Sequence, residues 1–219
     1  MIVHTMEQRT SDWFDVRLGK LTGSSAADML ATIKSGEAAA RRDLRTRIVL
    51  ERITGRGQED GYVNAVMQRG IDLEPAAMAA YEMLTGQIAL TCGFVSHDSM
   101  PAGCSPDGYV GEWQGLLSLK CPKSATHLGY LKSGVFPKDY EPQMLHELWI
   151  TGAEFYDFLS FDDRFPDELQ AFYVRVPRDE AAVQAYAVKA EAFLAEVDEE
   201  LAFVRTLSRK ATGSIWSAA

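Results

Sequence analysis

Apolar residues in the first third of the chain recur at helical spacing, with polar and glycine-rich breaks between the clusters. The pattern predicts helices over residues 24–33, 37–53 and 63–85, with Gly70 as a candidate break in the third. A loop is expected at 57–61, because its glycines and charged residues cannot build a core. Near the other end, apolar positions from Val183 to Val204 recur at three, four or seven residues. They predict a long acidic helix over 179–208.

The middle of the chain changes to a pattern typical of strands. Apolar runs bounded by turn residues predict strands over 88–96, 115–120, 155–161 and 172–176. Between them, residues 140–150 have helical periodicity, with Met144, Leu148 and Trp149 on a shared face. This order of elements predicts one α/β domain over residues 1–219.

Composition excludes several classes of protein. Of the 219 residues, 47% are hydrophobic, which is too many for a disordered chain. No apolar run approaches the ~18 residues of a membrane span, and the polar N-terminus lacks the apolar region of a signal peptide. Three cysteines are too few, and odd in number, for a disulfide scaffold. We therefore expect a protein of the reducing cytoplasm with no membrane partner.

Charge is distributed unevenly along the chain. The net charge is −9, yet residues 17–56 carry nine basic and four acidic side chains. The basic residues include Arg41, Arg42, Arg45 and Arg47. A basic N-terminal face on an acidic body can bind a polyanion such as DNA. A solvated helix face is the alternative, because a charge run alone does not identify a partner.

The common catalytic motifs are absent from the sequence. Cys92, Cys104 and Cys121 lack the close spacing of zinc ligands, and there is no phosphate-binding loop or Gly-x-Ser-x-Gly elbow. One informative stretch remains at 104–122, CSPDGYVGEWQGLLSLKCP. It places Asp107 in a turn before one strand and Lys120 at the end of the next.

A lysine that ends an apolar strand beside a carboxylate is unusual, because burying an unpaired ammonium is costly. The strand period of two places the side chains of Ser118 and Lys120 on one face, and the Leu119 carbonyl can point to the same place. Oxygens converging there would hold Mg²⁺, and the lysine would orient an attacking water or help to deprotonate it. An ordinary strand-end lysine is the alternative.

The frame SPDGYV…GLLSLKCP around Asp107 and Lys120 resembles the PD-(D/E)xK nuclease motif of the phage-lambda-type alkaline exonucleases, which are viral recombinases. Three further segments resemble motifs of that family and occur in the same order. They are WFDVRLGKLTGSSAADML at 13–30, RGIDLEPAAMAAYEMLTG at 69–86 and YEPQ at 140–143. Each motif alone is weak, whereas the ordered set is specific.

The resemblance implies a fold and an activity. The fold would be a restriction-endonuclease-like α/β core, with a mixed central β-sheet flanked by helices. The activity would be a 5′→3′ exonuclease on double-stranded DNA ends that releases mononucleotides by two-metal phosphodiester hydrolysis. Two Mg²⁺ ions, which Mn²⁺ can replace, would be the cofactors. The resemblance also implies a ring-shaped homotrimer and a phage-type single-strand annealing protein as partner.

The resemblance also assigns roles to individual residues. Metal ligands would be Glu74, Asp107 and the Leu119 carbonyl, with Lys120 as the catalytic lysine and Gln143 positioning substrate or water. Arg17 and Ser24 would grip a 5′-terminal phosphate, and Trp13 would stack at the DNA end. Structural alternatives stay open at three positions: Trp13 as core, Arg17 paired with Asp12 or Asp15, and Glu74 as a solvated helix residue.

Two positions depart from the family pattern. Ser118 stands where the family has a glutamate metal ligand, and a neutral hydroxyl is a poor ligand for Mg²⁺. Leu145 stands where many members have a second glutamine. Ser118, whether natural or engineered, predicts reduced turnover. It also leaves open a second function, a catalytically inactive protein of the same fold that binds DNA ends.

Overall fold

The computed structural model describes residues 1–57 and 65–215. Within them, the chain forms seven α-helices and nine strands. The helices are α1 (Ser11–Arg17), α2 (Ala26–Leu30), α3 (Ala39–Thr54), α4 (Ala65–Thr85), α5 (Ser124–Ser133), α6 (Glu141–Thr151) and α7 (Glu180–Ile215). The strands are β1 (Ile2–His4), β2 (Leu21–Thr22), β3 (Ala89–Leu90), β4 (Phe94–Ser96), β5 (Ala102–Cys104), β6 (Gly108–Val110), β7 (Gly115–Lys120), β8 (Phe155–Phe161) and β9 (Ala171–Pro177).

The strands form two mixed sheets rather than one. The smaller sheet has the order β1-β4-β5-β2, and the larger one has the order β3-β6-β7-β8-β9. In the larger sheet, β7 and β8 run parallel, with Ser118 opposite Phe158 and Lys120 opposite Ser160. Helices flank both sheets, so the predicted α/β class with mixed sheets is confirmed.

Strand β7 is buried on both faces, as its nearly continuous apolar sequence requires. On one face Leu117 and Leu119 pack with Ala77 and Tyr81 of α4. On the other face Leu116 packs with residues of α6. Because side chains alternate along a strand, Ser118 and Lys120 share the α6 face with Leu116. The end of β7 therefore lies between α4 and α6.

The acidic helix α7 packs against the basic helix α3. Phe193 and Val197 of α7 share one core with Leu44 and Ile48 of α3. Beside this core, Arg41 and Arg45 form ion pairs with Glu196 of α7. Further ion pairs join Arg45 to Glu37 and Glu200, Arg41 to Glu37, and Arg52 to Asp198. The prediction that Arg41, Arg45 and Arg52 form part of a basic face for a polyanion is therefore wrong, because acidic residues of the same chain neutralise these guanidinium groups.

Long periodic segments were predictable in position. Helices α3, α6 and α7 and strands β7, β8 and β9 lie where the hydrophobic pattern places them. Helix α4 continues through Gly70, so the candidate break is wrong. Helix α2 is shorter than predicted and ends at Leu30. Residues 58–61 of the loop predicted at 57–61, and the predicted helix start at 63, lie outside the described residues.

The segment predicted as one strand at 88–96 is two strands in different sheets. Strand β3 pairs with β6 in the larger sheet, whereas β4 pairs with β1 and β5 in the smaller one. The chain changes sheets at Cys92 and Gly93. A Cβ on Gly93 would lie 2.0 Å from the Met6 carbonyl oxygen, so only glycine permits this close approach.

No helix among the described residues is long and apolar enough to cross a bilayer.

Candidate active site

Asp107 completes the edge of β7 where its neighbouring strand ends. The antiparallel pairing of β6 with β7 runs from Gly108 opposite Leu117 to Val110 opposite Gly115, so the N–H of Leu119 lies beyond it. The Oδ2 atom of Asp107 accepts a hydrogen bond of 2.7 Å from that N–H, and Ser118 Oγ donates a longer one of 3.4 Å. The N–H and C=O of a strand residue point to the same side, so the Leu119 carbonyl also faces the Asp107 edge.

Lys120 brings a cation to the same edge. Its Nζ lies 3.8 Å from Asp107 Oδ2 and 5.3 Å from the centre of the Tyr140 ring. These contacts show how the ammonium is accommodated at the end of an apolar strand: a carboxylate and an aromatic ring both lie near it. A lysine held in this way can hydrogen-bond a water or a phosphate oxygen beside Asp107.

Glu74 reaches the site from α4 across a cleft of about 610 Å³. The cleft is lined by residues that include Glu74, Asp107, Leu119 and Arg9. Arg9, whose φ is 70°, forms an ion pair with Glu74, and both side chains are partly exposed. Gln8 fixes this segment, because its Nε2 donates to the carbonyls of Cys92 and Pro106. The carboxylate of Glu74, which was predicted to bind a metal, is thus paired with the guanidinium of Arg9.

Glu147 approaches from α6, and the sequence did not single it out. It is 1% exposed, and its Oε1 accepts a 2.8 Å hydrogen bond from Gln143 Nε2. Its Oε2 is buried without a hydrogen-bond partner among the described atoms. Burial, with a further contribution from the negative charge of Asp107, raises the pKa of Glu147 to about 7. A buried carboxylate with an unmatched oxygen is costly to keep in a core.

Ser118 and Glu147 both lie beside the Tyr156 hydroxyl. Burial raises the pKa of Tyr156 well above its usual value; the negative charge of Glu147 raises it further, and Ser118 lowers it. Tyr156 OH and Glu147 Oε2 each lack a partner in hydrogen-bonding geometry among the described atoms. The two groups still face each other closely enough that hydrogen bonding from the Tyr156 hydroxyl lowers the pKa of Glu147, against the larger effect of burial. Two unmatched buried polar atoms therefore lie next to the position where the family pattern has a glutamate.

The predicted DNA-end residues lie on α1 and in the turn that follows β2. Trp13 Nε1 donates to Ser105 Oγ at 2.9 Å and to the Gly93 carbonyl at 3.0 Å, which ties it to the loop before Asp107. The Arg17 guanidinium lies 3.9 Å from the centre of the Trp13 ring. Trp13 is half-buried, whereas its neighbour Phe14 is 52% exposed.

Ser24 is exposed in the turn between β2 and α2, and its Oγ lies 3.2 Å from Thr22 Oγ1. This turn covers the buried glutamate of α6. A Cβ on Gly23 would lie 3.1 Å from Glu147 Oε1, so the small residue allows the turn to approach that side chain closely. Arg47 of α3 donates to the adjacent Ser25 Oγ at 2.8 Å.

The structure therefore brings some of the predicted residues together and not others. Asp107, the Leu119 backbone and Lys120 meet at one edge, and Glu74 lines the same cleft. Gln143 is bonded to Glu147. In the part of the chain that the structure describes, no three His, Cys, Asp or Glu side chains form a ready-made metal cluster. The roles of all these residues stay predictions.

The donors at this edge suit a hard divalent cation. They are carboxylate oxygens of Asp107 and Glu74 and a backbone carbonyl, which are the ligands that Mg²⁺ prefers. The three thiols are poor alternatives, because burial raises the pKa of Cys92 to about 12 and that of Cys121 to about 11, while the pKa of Cys104 is shifted well above its usual value. They stay protonated near neutral pH. The donor set fits Mg²⁺ or Mn²⁺.

Residues 12–154 match the model of the YqaJ-like viral recombinase domain. The fold is that of an alkaline exonuclease, and the chain belongs to the YqaJ-like viral recombinase family. A comparison with curated proteins found no significant match.

Solved structures agree with the family. The chain is 37% identical to the alkaline exonuclease LHK-Exo from Laribacter hongkongensis, with a TM-score of 0.83, over 92% of this chain and all of that one. LHK-Exo in complex with dAMP superposes with a TM-score of 0.84 at the same identity and coverage. A phage-related exonuclease from Haemophilus somnus 129PT is 15% identical over 84% of this chain and 96% of that one, with a TM-score of 0.63, and shares the fold.

Proposed function

We propose that this chain is a Mg²⁺-dependent 5′→3′ exonuclease that digests one strand of duplex DNA from its end and releases mononucleotides. The observation that carries the proposal is the contact of Asp107 with the Leu119 N–H and Lys120 at the end of β7. This arrangement fits the PD-(D/E)xK motif of the family to which the chain belongs. The dAMP bound to LHK-Exo is consistent with release of deoxynucleoside monophosphates.

The residues at the strand edge divide the work of phosphodiester hydrolysis. Asp107, Glu74 and the Leu119 carbonyl would hold Mg²⁺. Bound Mg²⁺ supplies charge stabilisation at the phosphate and lowers the pKa of a water. Lys120 would orient the attacking water beside Asp107 and assist its deprotonation. Glu74 would have to break its ion pair with Arg9 before it could bind the metal.

Residues of the N-terminal segment would place the DNA end. The guanidinium of Arg17 and the hydroxyl of Ser24 would bind a 5′-terminal phosphate, which carries more charge than an internal diester. Trp13 would contact the terminal base pair, and the exposed ring of Phe14 beside it offers a second stacking surface. The hydrogen bonds of Trp13 to Gly93 and Ser105 would hold these two rings at a fixed position relative to Asp107.

We further infer the setting of the enzyme from the family resemblance. Residues 1–219 would act as one exonuclease domain, because Leu145 and Trp149 of α6 pack against two of the three core clusters. Three copies would form a ring around DNA, and a phage-type single-strand annealing protein would receive the strand left behind. The three free cysteines suit a reducing cytoplasm.

The test is a duplex labelled at one 5′ end or at one 3′ end and incubated with the protein and Mg²⁺. We expect early release of the 5′ label as a mononucleotide. Asp107→Asn and Lys120→Ala should lower the rate by roughly 10²–10⁴-fold while DNA-end binding, followed by fluorescence anisotropy, persists. Earlier release of the 3′ label would contradict the polarity.

The second candidate function is an inactive protein that binds DNA ends, and Ser118 is the observation that favours it. The same experiment separates the two functions. Tight binding of duplex ends without Mg²⁺-dependent release of either label would establish the second candidate and reject the nuclease.

A further inference from the structure

Glu147 is buried in a way that the fold does not explain. The fold gives its Oε1 a partner in Gln143, although the side chain is only 1% exposed. Its Oε2 has no partner in hydrogen-bonding geometry among the described atoms, and the Tyr156 hydroxyl is the one donor beside Glu147 that also lacks a partner. A glutamine or methionine of similar size would fill the same space without a buried charge. Retaining a carboxylate here therefore points to a ligand for its free oxygen.

The position of Glu147 indicates what that ligand is. Helix α6 packs on the face of β7 that carries Ser118 and Lys120, and Tyr156 lies between Ser118 and Glu147. Ser118 in turn contacts Asp107 at 3.4 Å. The unmatched oxygen thus lies on the side of the Asp107 edge opposite Glu74, at the place where the family pattern has a glutamate on β7.

The number of carboxylates at the edge supports the same conclusion. Asp107 and Glu74 alone leave the site one anionic ligand short of the family pattern, which weakens the binding of divalent cations. Glu147 would restore the third carboxylate from α6. The three carboxylates form no closed cluster in the part of the chain that the structure describes, because their negative charges repel one another.

We infer that Glu147 is a metal ligand that replaces the glutamate absent at Ser118, with Gln143 as the positioning residue that fixes its other oxygen. The inference rests on the proposed metal-dependent function and deepens it. It also gives Gln143 a role different from direct contact with substrate. With Glu147 as the third carboxylate, Ser118 is compatible with an active enzyme.

Mn²⁺ binding to the full-length protein without DNA, measured by electron paramagnetic resonance, tests the inference. Glu147→Gln should weaken Mn²⁺ binding by about 10–100-fold, whereas Glu191→Gln, an exposed carboxylate on α7, should not change it. The exchange variant Ser118→Glu with Glu147→Ser should recover most of the affinity. DNA digestion should follow the same order.

Each outcome distinguishes the metal-ligand role of Glu147 from the nuclease activity as a whole. If the unmodified protein binds Mn²⁺ and digests DNA, and Glu147→Gln does both equally well, Glu147 is not a ligand but the nuclease proposal stands. If the unmodified protein neither binds Mn²⁺ nor digests DNA, the nuclease proposal fails together with this inference. Melting curves in EDTA verify folding; if the exchange variant does not fold, Mn²⁺ binding by the near-isosteric Glu147→Gln decides whether Glu147 is a ligand.

Discussion

Two fully buried carboxylates of this protein have opposite environments. Asp157 on β8 is completely buried, and both its oxygens accept two hydrogen bonds: Oδ1 from Tyr173 and Arg175, and Oδ2 from Tyr81 and Arg175. Glu147 on α6 is almost equally buried, yet one oxygen has a single donor and the other has none among the described atoms.

The difference separates a structural charge from a functional one. The forked contact of Arg175 with Asp157, completed by two tyrosines, is the arrangement in which a buried ion pair is tolerated. No arginine makes such a two-pronged contact with Glu147 among the described residues. Burying its charge therefore destabilises the fold until a ligand binds. The same distinction applies to Arg41, Arg45 and Arg52 of α3, whose acidic partners on α7 make them part of the fold.

The largest effect should come from neutralising each carboxylate in turn. Asp157→Asn would remove the charge that Arg175 and two tyrosines hydrogen-bond, and we expect the free energy of unfolding to fall by about 1.5–3 kcal/mol, because the partly exposed Arg175 can be rehydrated. Glu147→Gln should leave stability unchanged or higher in EDTA, because it removes an uncompensated buried charge. Urea denaturation measures both variants. A loss for Glu147→Gln as large as that for Asp157→Asn would erase the distinction.

The pH dependence of stability should show the same contrast. The pKa of Glu147 is raised to about 7 in the folded chain, above its value in the unfolded chain, so the folded state binds the proton more tightly. Stability in EDTA should therefore decrease as the pH rises from about 4.5 to above 7, by up to ~3 kcal/mol.

Glu147→Gln should remove this part of the pH dependence, and the difference between the two melting temperatures across pH 5–8 measures it. If the difference between the two melting temperatures stayed constant over that pH range, the pKa of Glu147 would not be raised by folding.

An intermediate effect is expected at Arg17, for which we propose a role in binding the DNA end. Arg17→Gln should remove most of the preference for 5′-phosphorylated over 5′-hydroxyl duplex ends, a loss of roughly 10–100-fold, because charge-assisted hydrogen bonds contribute about 1.5–3 kcal/mol. Arg41→Gln is the matched control. Its guanidinium is already paired with Glu37 and Glu196, so end preference and salt slope should change little.

Competition anisotropy with the two end types measures this preference. Equal affinity of the unmodified protein for both ends would reject the phosphate role of Arg17. A steep fall of binding in Arg41→Gln would restore the basic-face hypothesis for α3.

The smallest effect concerns Glu74, the carboxylate at the surface of the cleft. Its partner Arg9 is 44% exposed, so breaking the ion pair is worth only about 0.2–1 kcal/mol. Arg9→Ala should therefore strengthen Mn²⁺ binding by roughly 1.5- to 5-fold, because Glu74 no longer has to leave a competing cation. Calorimetric titration can resolve this. Weaker Mn²⁺ binding in Arg9→Ala would indicate that Arg9 holds Glu74 in place for the metal.

The site was predictable from the sequence only where its parts are close along the chain. Asp107 directly precedes β6 and Lys120 ends the adjacent strand β7, so the strand period and one turn predicted that they lie close together. Glu147 stands four residues after Gln143, a spacing that puts both on one helix face. The sequence therefore shows that Gln143 and Glu147 share a face of α6. It does not show whether that face is buried against β7 or exposed, because this depends on how α6 packs in the fold.

The fold shows the same limit. Long amphipathic helices such as α7 were predicted closely, because their periodicity is repeated over many residues. Helix α5 was missed, since its position depends on distant contacts. Its His127 is completely buried and lies 2.8 Å from Ser160 Oγ and 2.9 Å from the Leu169 carbonyl oxygen. The change of sheet at Gly93 likewise depends on the backbone of residues 4–6, far away in sequence.

A crystal of the protein grown with Mn²⁺ and examined by anomalous scattering tests the metal-ligand role of Glu147 most directly, because it locates the metal itself. We expect an anomalous peak within about 2.5 Å of oxygens from Asp107 and from Glu147, whose Oε2 is then no longer unmatched. A peak bound by Asp107 and Glu74 alone, with Glu147 Oε2 still without a partner, would contradict that role.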